Sequence, residues 1–426
     1  MSGQFVIQGG RPVGGVFQPT GNKNAALPML AASLLTDQPV TLHNVPMIQD
    51  VRVMIELLQT LGVTVTLQDS SVTLEANNVS GTELDPELCR RIRASILLAG
   101  PLVARFGSAV LYPPGGDVIG RRRLDTHFYG LQELGCEVHI TDRFSLSTKR
   151  LQGAALLLDE ASVTATENIV MAATLAEGSS TIFHAACEPH VQDLCELLIT
   201  MGARIEGHGT NHIVVHGVSE LGGAEYDVGV DYVELGSFLA AAAVTGGTLT
   251  VPQQHTSRVT DVLQRGFQKL GMSWSFAGDG LLLPAEQPLH VQQELGHGIP
   301  KIEDGIWPAF PSDLMSVAIV VATQAQGSLL FFEKMFESRM YFVDRLIEMG
   351  AHIVQCDPHR VVVQGKTPLQ ATHMSSPDIR AGMAMIIAAL CANGESVIES
   401  ADMVDRGYER IDERLRALGA DIVRAK

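Results

Sequence analysis

LLQTLGVTV, residues 57–65, reads as the close of an amphipathic helix, a glycine in the left-handed turn that ends it, and the first residues of a strand. The phrase returns as LQELGCEV (131–138), LLITMGARI (197–205), FQKLGMSW (267–274), LIEMGAHI (346–353) and LRALGADI (415–422). Its glycines fall at 62, 135, 202, 271, 350 and 419, so successive copies lie 73, 67, 69, 79 and 69 residues apart. A period that regular, and longer than solenoid periods, predicts six copies of one module gathered into closed lobes rather than an open array.

Upstream of each copy lies a helix of another kind, apolar on nearly every face and rich in small residues. Examples are KNAALPMLAASLL (23–35), RASILLAGPLVARFG (93–107), ELGSFLAAAAVTGG (234–247) and DIRAGMAMIIAALCANG (378–394). A helix apolar all round belongs in a core. The second helix of each copy, such as YERIDERLRALG (408–419), is amphipathic and belongs nearer the surface. Paired strands close the module, as in AHIVQCD and RVVVQG around the turn Asp357-Pro358. The module is therefore βαβαββ and the fold class α/β (α+β), three modules to a lobe, helices inside and sheets outside. YDVGVDY (226–232) divides the first three copies from the last three.

The 426 residues carry a net charge of −17. Such a surface repels nucleic acid and anionic membranes, and an anionic metabolite would need a local basic pocket. Six cysteines without a CxxC pair read as reduced thiols of a cytoplasmic protein. No signal peptide is expected in MSGQFVIQGG, and apolar runs such as MAMIIAALCA are too short to span a bilayer.

Basic residues gather where helices begin: Lys23 beside Asn24, Arg93, Arg121–Arg123, Arg258, Arg339, Arg380 and Arg406. A cation there opposes the helix dipole, so this set reads as an anion site in a cleft between the lobes. Arg258 reads as structural or lobe-bridging. Asp313 and Asp378, taken alone, read as helix caps, and Ser162 stands just before the third buried helix. YPPGGDVIGRRRLD (112–125) admits two readings, a mobile lid or a plain glycine-rich turn. His208, His212 and His216 sit in GHGTNHIVVHG, which favours a hairpin over a metal-binding helix face. The glycine pairs at 9–10 and 14–15 lack a P-loop lysine, and no metal or cofactor is expected.

Eight motifs in order then carry a specific likeness: GNKNAALP (21–28), RASILLAGPLVARFG (93–107), PGGDVIG (114–120), ATLAEG (173–178), FPSD (310–313), ESRM (337–340), DIRA (378–381) and DRGYERI (405–411). From about residue 5 onward the chain resembles the UDP-N-acetylglucosamine 1-carboxyvinyltransferase family. The resemblance implies the enolpyruvyl transferase fold, a two-lobed inside-out α/β barrel of six βαβαββ units. It implies one lobe of residues 22–229 with a mobile loop at 111–123, and a second of residues 1–21 plus 230–426. It implies transfer of an enolpyruvyl group from phosphoenolpyruvate to the 3-hydroxyl of UDP-N-acetylglucosamine with release of phosphate, opening peptidoglycan synthesis. A cytoplasmic monomer working on small molecules is expected.

By position, the resemblance assigns Lys23, Arg122 and Arg406 to the phosphate of phosphoenolpyruvate, and Arg339 and Arg380 to its carboxylate or to bracing the cleft. Asp313 would accept the sugar hydroxyl's proton, Asp378 would assist proton traffic, and Asp117 would donate a proton where many members carry Cys. Asn24 and Met335 would lie at the sugar, Arg93 near the loop and substrate phosphates, and Asp125, Ser162 and Val163 at the diphosphate or uridine. The chain departs from the family pattern at Arg123, Thr164, Tyr232 and Trp307, all toward the nucleotide-sugar side. Those departures keep two other readings in view: a different acceptor such as UMP, and a non-catalytic relative that binds a nucleotide sugar.

Overall fold

The computed structural model describes residues 3–116, 120, 123–252, 259–278, 280–296 and 298–425. Asp117, Arg122 and Arg258 lie outside these residues. The six helix-ending glycines take the left-handed turn, with φ of +100° at Gly62, +90° at Gly135, +107° at Gly202, +78° at Gly271, +95° at Gly350 and +93° at Gly419. An L side chain is disfavoured in that conformation, which is why the phrase repeats with glycine.

The third module shows the plan in full. Strand Ala155–Leu157, helix Val163–Ala173, strand Ser179–Phe183, helix Pro189–Thr200 and strands Arg204–Glu206 and His212–His216 follow in order. The first two strands pair in parallel and the rest antiparallel. Among the described residues, five of the six sheets have this four-stranded form. The sheet around Ser108–Leu111 has three strands, its fourth reduced to one bridge between Glu83 and Val110. There Asp85 caps a helix that begins at Pro86, so the chain turns helical directly after the bridge. Among the described residues the six sheets are separate, and the apolar helices are buried.

Contacts divide the described residues into two compact lobes, one from Thr20 to Gly229 apart from Gly120, the other made of residues up to Pro19, Gly120 and residues from Val230 onward. The threading is circular. Gln4–Gln8 lies in the middle of the last sheet, between Glu395–Glu399 and Asp421–Ala425. Gly15–Val16 supplies the parallel edge of the fourth, against Leu249–Pro252. In the Thr20–Gly229 lobe the late strand Ala224–Asp227 completes the first sheet, parallel to Val40–His43.

Each lobe has three apolar helices in mutual contact. In one they are Lys23–Ala32, the 3-10 turn Arg93–Leu98 continuing into Ala99–Phe106, and Val163–Ala173. In the other they are Tyr232–Thr245, Met315–Gln324 and Ile379–Cys391. Small residues set their spacing: a Cβ on Gly100 would meet the carbonyl oxygen of Asn168 at 2.3 Å. Among the described residues no helix is long and apolar enough to cross a membrane. Arg204–Glu206 and His212–His216 form a hairpin with His208 in its turn, and His212 stacks on Phe183 with ring centroids 4.1 Å apart.

Candidate active site

In the lobe from Val230 onward, the sequence PSDLM folds as a 3-10 turn, Ser312–Leu314, leading into the buried helix Met315–Gln324. Asp313 therefore stands at a helix entrance, but it is not the cap expected there: neither the turn nor the helix has a side-chain cap, and its carboxylate is turned to two arginines instead. Arg339 donates Nη2–H to its Oδ1 at 3.0 Å, and Arg380 donates Nε–H to its Oδ2 at 3.0 Å, with Nη2 at 2.8 Å. The two guanidiniums arrive from different modules: Arg339 opens the turn Arg339–Phe342, and Arg380 lies in the first turn of Ile379–Cys391. Both arginines are buried, at 4% and 6% exposure. Nε and Nη1 of Arg339 and Nη1 of Arg380 have no hydrogen-bond acceptor among the described residues. Buried guanidinium donors are costly to leave unmade, so two cations around one carboxylate form a socket with donors to spare for an anion.

Arg380 keeps its charge. Burial pulls its pKa down, but Asp313, Tyr408 and Asp231 outweigh burial and hold it well above the ordinary value. The Tyr408 ring lies under the guanidinium at 5.5 Å, and its hydroxyl is 3.1 Å from Ser237 Oγ. Asp378 is the cap of its helix, with Oδ1 accepting the N–H of Arg380 and of Ala381 at 2.8 and 2.9 Å. Arg406 does not open a helix as expected. It sits in the turn between Ala401–Val404 and Ile411–Ala417, because Arg410 takes a left-handed φ of +47° and delays the helix. Gly407 packs so closely on Ile379 that a Cβ would come within 2.3 Å of its Cγ2, which runs Arg406 beside the turn bearing Arg380. Met335 is exposed, at 42%.

In the Thr20–Gly229 lobe, Asn22 caps the first buried helix by accepting the N–H of Asn24 at 2.8 Å and of Ala25 at 3.3 Å. Lys23 follows it, 9% exposed, with Nζ 3.2 Å from Asp50 Oδ2. Ser162 caps Val163–Ala173 through the N–H of Ala165 at 3.4 Å, which places Val163 and Thr164 in its first turn. Arg93 donates to the carbonyl oxygen of Arg123 at 3.1 Å. The glycine pair before Asp117 is pinned on the same segment: a Cβ on Gly115 would strike the carbonyl oxygen of Arg90 at 1.8 Å, and one on Gly116 the Arg93 Cβ at 2.9 Å. A cavity of about 750 Å³ in this lobe, lined by Thr36, Arg105, Lys149 and Glu220 among others, sits at the opposite, C-terminal ends of the buried helices. Its Arg105 donates to the carbonyl oxygens of Leu34, Thr36 and Ala76 at 3.1, 2.7 and 2.9 Å, a structural task for a cation at a helix C-terminus.

The positions that depart from the family pattern have local partners. Arg123 pairs with Asp125 and Asp159, each at 3.0 Å. Thr164 Oγ1 is 3.1 Å from Nε2 of the buried His127. Asn168 takes the Gly100 N–H on Oδ1 at 2.6 Å, so its Nδ2 faces His127 Nδ1 at 3.1 Å; Nδ1 accepts and Nε2–H donates to Thr164. Burial, then Arg93, push the His127 pKa down to about 3. Tyr232 and Trp307 lie against each other, centroids 5.7 Å apart.

The chain matches the family model described as EPSP synthase (3-phosphoshikimate 1-carboxyvinyltransferase) over residues 7–415. It is 52% identical to the UDP-N-acetylglucosamine 1-carboxyvinyltransferase of Bradyrhizobium diazoefficiens over 99% of this chain and 98% of that protein. The chain belongs to the UDP-N-acetylglucosamine 1-carboxyvinyltransferase family. The protein of that name from Treponema denticola is 50% identical over 98% of each chain. The solved enolpyruvyl transferase NikO of Streptomyces tendae superposes with a TM-score of 0.88 at 21% identity, over 100% of this chain and 99% of that one. EPSP synthase of Acinetobacter baumannii superposes with 0.77 at 18%, over the whole of both. These two likenesses are of fold. Sequence reading did not single out Asp50 beside Lys23 and His127 near Arg93 in one lobe, nor Asp231 and Tyr408 near Arg380 in the other. Asp231 alone left a local signal, an acid just before a buried helix.

Proposed function

We propose that this protein transfers the enolpyruvyl group of phosphoenolpyruvate to the 3-hydroxyl of UDP-N-acetylglucosamine and releases phosphate, the step that opens peptidoglycan synthesis. The observation that carries the reading is Asp313 between two buried guanidiniums whose remaining donors are unmade. Identity near 50% over the full chain to proteins of that name supports the acceptor.

In this reading Lys23, Arg122 and Arg406 take the phosphate of phosphoenolpyruvate, and Arg339 and Arg380 its carboxylate, so the approach of two polyanions is neutralised before bond formation. Asp117 adds a proton to the methylene carbon, which becomes a methyl group. The sugar oxygen attacks the adjacent carbon while Asp313 takes the hydroxyl proton. The tetrahedral intermediate then loses a methyl proton and expels phosphate, with Asp378 sharing in proton traffic. Asn24 and Met335 lie at the sugar, and Arg93, Asp125, Ser162 and Val163 along the diphosphate and uridine. The protein acts as a cytoplasmic monomer, checked by light scattering after size exclusion.

Phosphate release from phosphoenolpyruvate, measured with UDP-N-acetylglucosamine, with UMP and with neither, tests the reading. Release with the nucleotide sugar alone is expected. Release with UMP instead reassigns the acceptor, and none with either makes the chain a non-catalytic binder.

A further inference from the structure

The strand Lys301–Glu303 pairs in parallel with Gly327–Phe332, Glu303 opposite Phe332. One step beyond that pair stand Asp304 and Glu333. Strand alternation turns both inward, in phase with the buried Ile302 and Phe331, and both acids are 0% exposed. Such inward positions of a parallel pair ordinarily hold apolar side chains. Two carboxylates enclosed side by side cannot both ionise cheaply.

The surroundings leave room for one proton. Glu333 accepts from Ser312 Oγ at 2.9 Å and from the N–H groups of Met335 and Phe336 at 3.2 and 3.1 Å. Asp304 Oδ1 accepts the Lys334 N–H at 2.5 Å, and its Oδ2 has no donor among the described residues. Arg339 Nε lies 3.8 Å from Glu333 Oε2. The other charged groups on adjoining elements are turned elsewhere: Lys334 to Glu303 at 3.3 Å, Arg360 to Asp357 at 2.6 Å, and His359 Nδ1 to the Glu333 carbonyl oxygen at 2.8 Å.

We propose that Asp304 and Glu333 share a single proton, and that the one negative charge they keep positions Arg339 against Asp313. This rests on the reading of Asp313 as the base. Burial first, then Asp304, push the Glu333 carboxyl up to about 9, in keeping with a proton retained at neutral pH. Arg339 has two claimants, Asp313 at 3.0 Å and Glu333 at 3.8 Å. Two ionised acids behind it would draw it away from Asp313. A neutral pair would leave its whole charge on Asp313 and depress the proton affinity that the base needs. One charge holds the guanidinium from both sides. Neither acid touches substrate; they are positioning residues.

The test compares Glu333→Ala, Glu333→Gln, Asp304→Asn and the double amide in the full-length protein. Glu333→Ala is expected to lower kcat on the order of 10²-fold, since a displaced Arg339 misplaces the base. Each single amide supplies an N–H where the shared proton lay and keeps one charge, so each rescues kcat to within about threefold of the unsubstituted protein. The double amide has the shape without the charge, and its kcat is expected to fall by about tenfold or more at unchanged Tm. The unsubstituted protein also loses kcat as pH rises through about 9, a limb that both single amides lack. Single amides as damaging as alanine, or a double amide with full kcat, overturn the proposal. Infrared difference spectra of the substrate-free protein separate this from the reaction itself. A protonated-carboxyl band should be present at neutral pH and lost in either amide variant; its absence refutes the shared proton. Absence of phosphate release by the unsubstituted protein refutes only the reading of the reaction.

Discussion

Asp313 is held by two arginines that reach it from 26 and 67 residues further along the chain. Asp313→Asn removes their carboxylate counterion and, in the reading proposed above, the proton acceptor. A kcat loss on the order of 10²–10⁴-fold is expected in the phosphate assay. A lowered Tm should accompany it, because two buried cations lose their counterion. Asp117 carries a second expectation. With an acid where many members have Cys, stoichiometric thiol-directed epoxides such as fosfomycin should leave activity intact, and Asp117→Cys should confer inactivation, read as residual activity after incubation. His127 carries a third. Its folded pKa of about 3 lies below the 6.5 of an unfolded histidine. The unfolded chain therefore takes up the proton first as pH falls. The stability His127 lends is complete above pH 6.5 and drains as pH falls toward 3. The loss by pH 5 is roughly 2 kcal/mol, measurable as a lower urea midpoint that His127→Gln largely abolishes.

At the scale of elements, two glycines separate backbone strain from crowding. Gly202 has φ of +107° and open space around a would-be Cβ, so Gly202→Ala should cost about 1–2 kcal/mol through conformation alone. Gly100 lies in a helix, and a Cβ there would meet Asn168 O at 2.3 Å. Gly100→Ala should cost about 1–3 kcal/mol by forcing two core helices apart. Thermal unfolding of both variants checks the pair. The first of these effects was legible in sequence, because Gly202 ends the helix in a phrase found six times. The second was not: nothing local to Gly100 announces the helix that faces it. The same divide runs through the helix entrances. Arg339, Arg380 and Lys23 stood out because cations there oppose the dipole. Asp50, the partner of Lys23, sits in an ordinary amphipathic helix and could be found only by its distance of 3.2 Å.

For the molecule as a whole, the chain's beginning is structural for its end. Phe5 and Ile7 are fully buried in an inner strand of the last sheet; without it Asp421–Ala425 would lose its strand partner and Glu395–Glu399 one of its two. Removing residues 1–10 should cost at least about 5 kcal/mol, the sum expected for two large buried side chains. The loss should appear as an early urea transition reported by Trp274 or Trp307, both in the Val230–Lys426 lobe. The net charge of −17 sets the other global property: a cationic socket inside an acidic protein attracts anions only at close range, since salt screens the distant field.

The sequence by itself determined the module, its six copies, the buried character of one helix in each and the clustering of cations at helix entrances. These follow from backbone sterics at glycine, apolar periodicity and the helix dipole, all of which act within a few residues. The tertiary structure alone decided that Asp313 faces two guanidiniums instead of capping a helix, and that Thr164 serves His127. It alone decided that Trp307 lies on Tyr232, and that Asp304 and Glu333 meet. Each of those depends on which segments the packing brings within about 4 Å, where hydrogen bonds and ion pairs take effect.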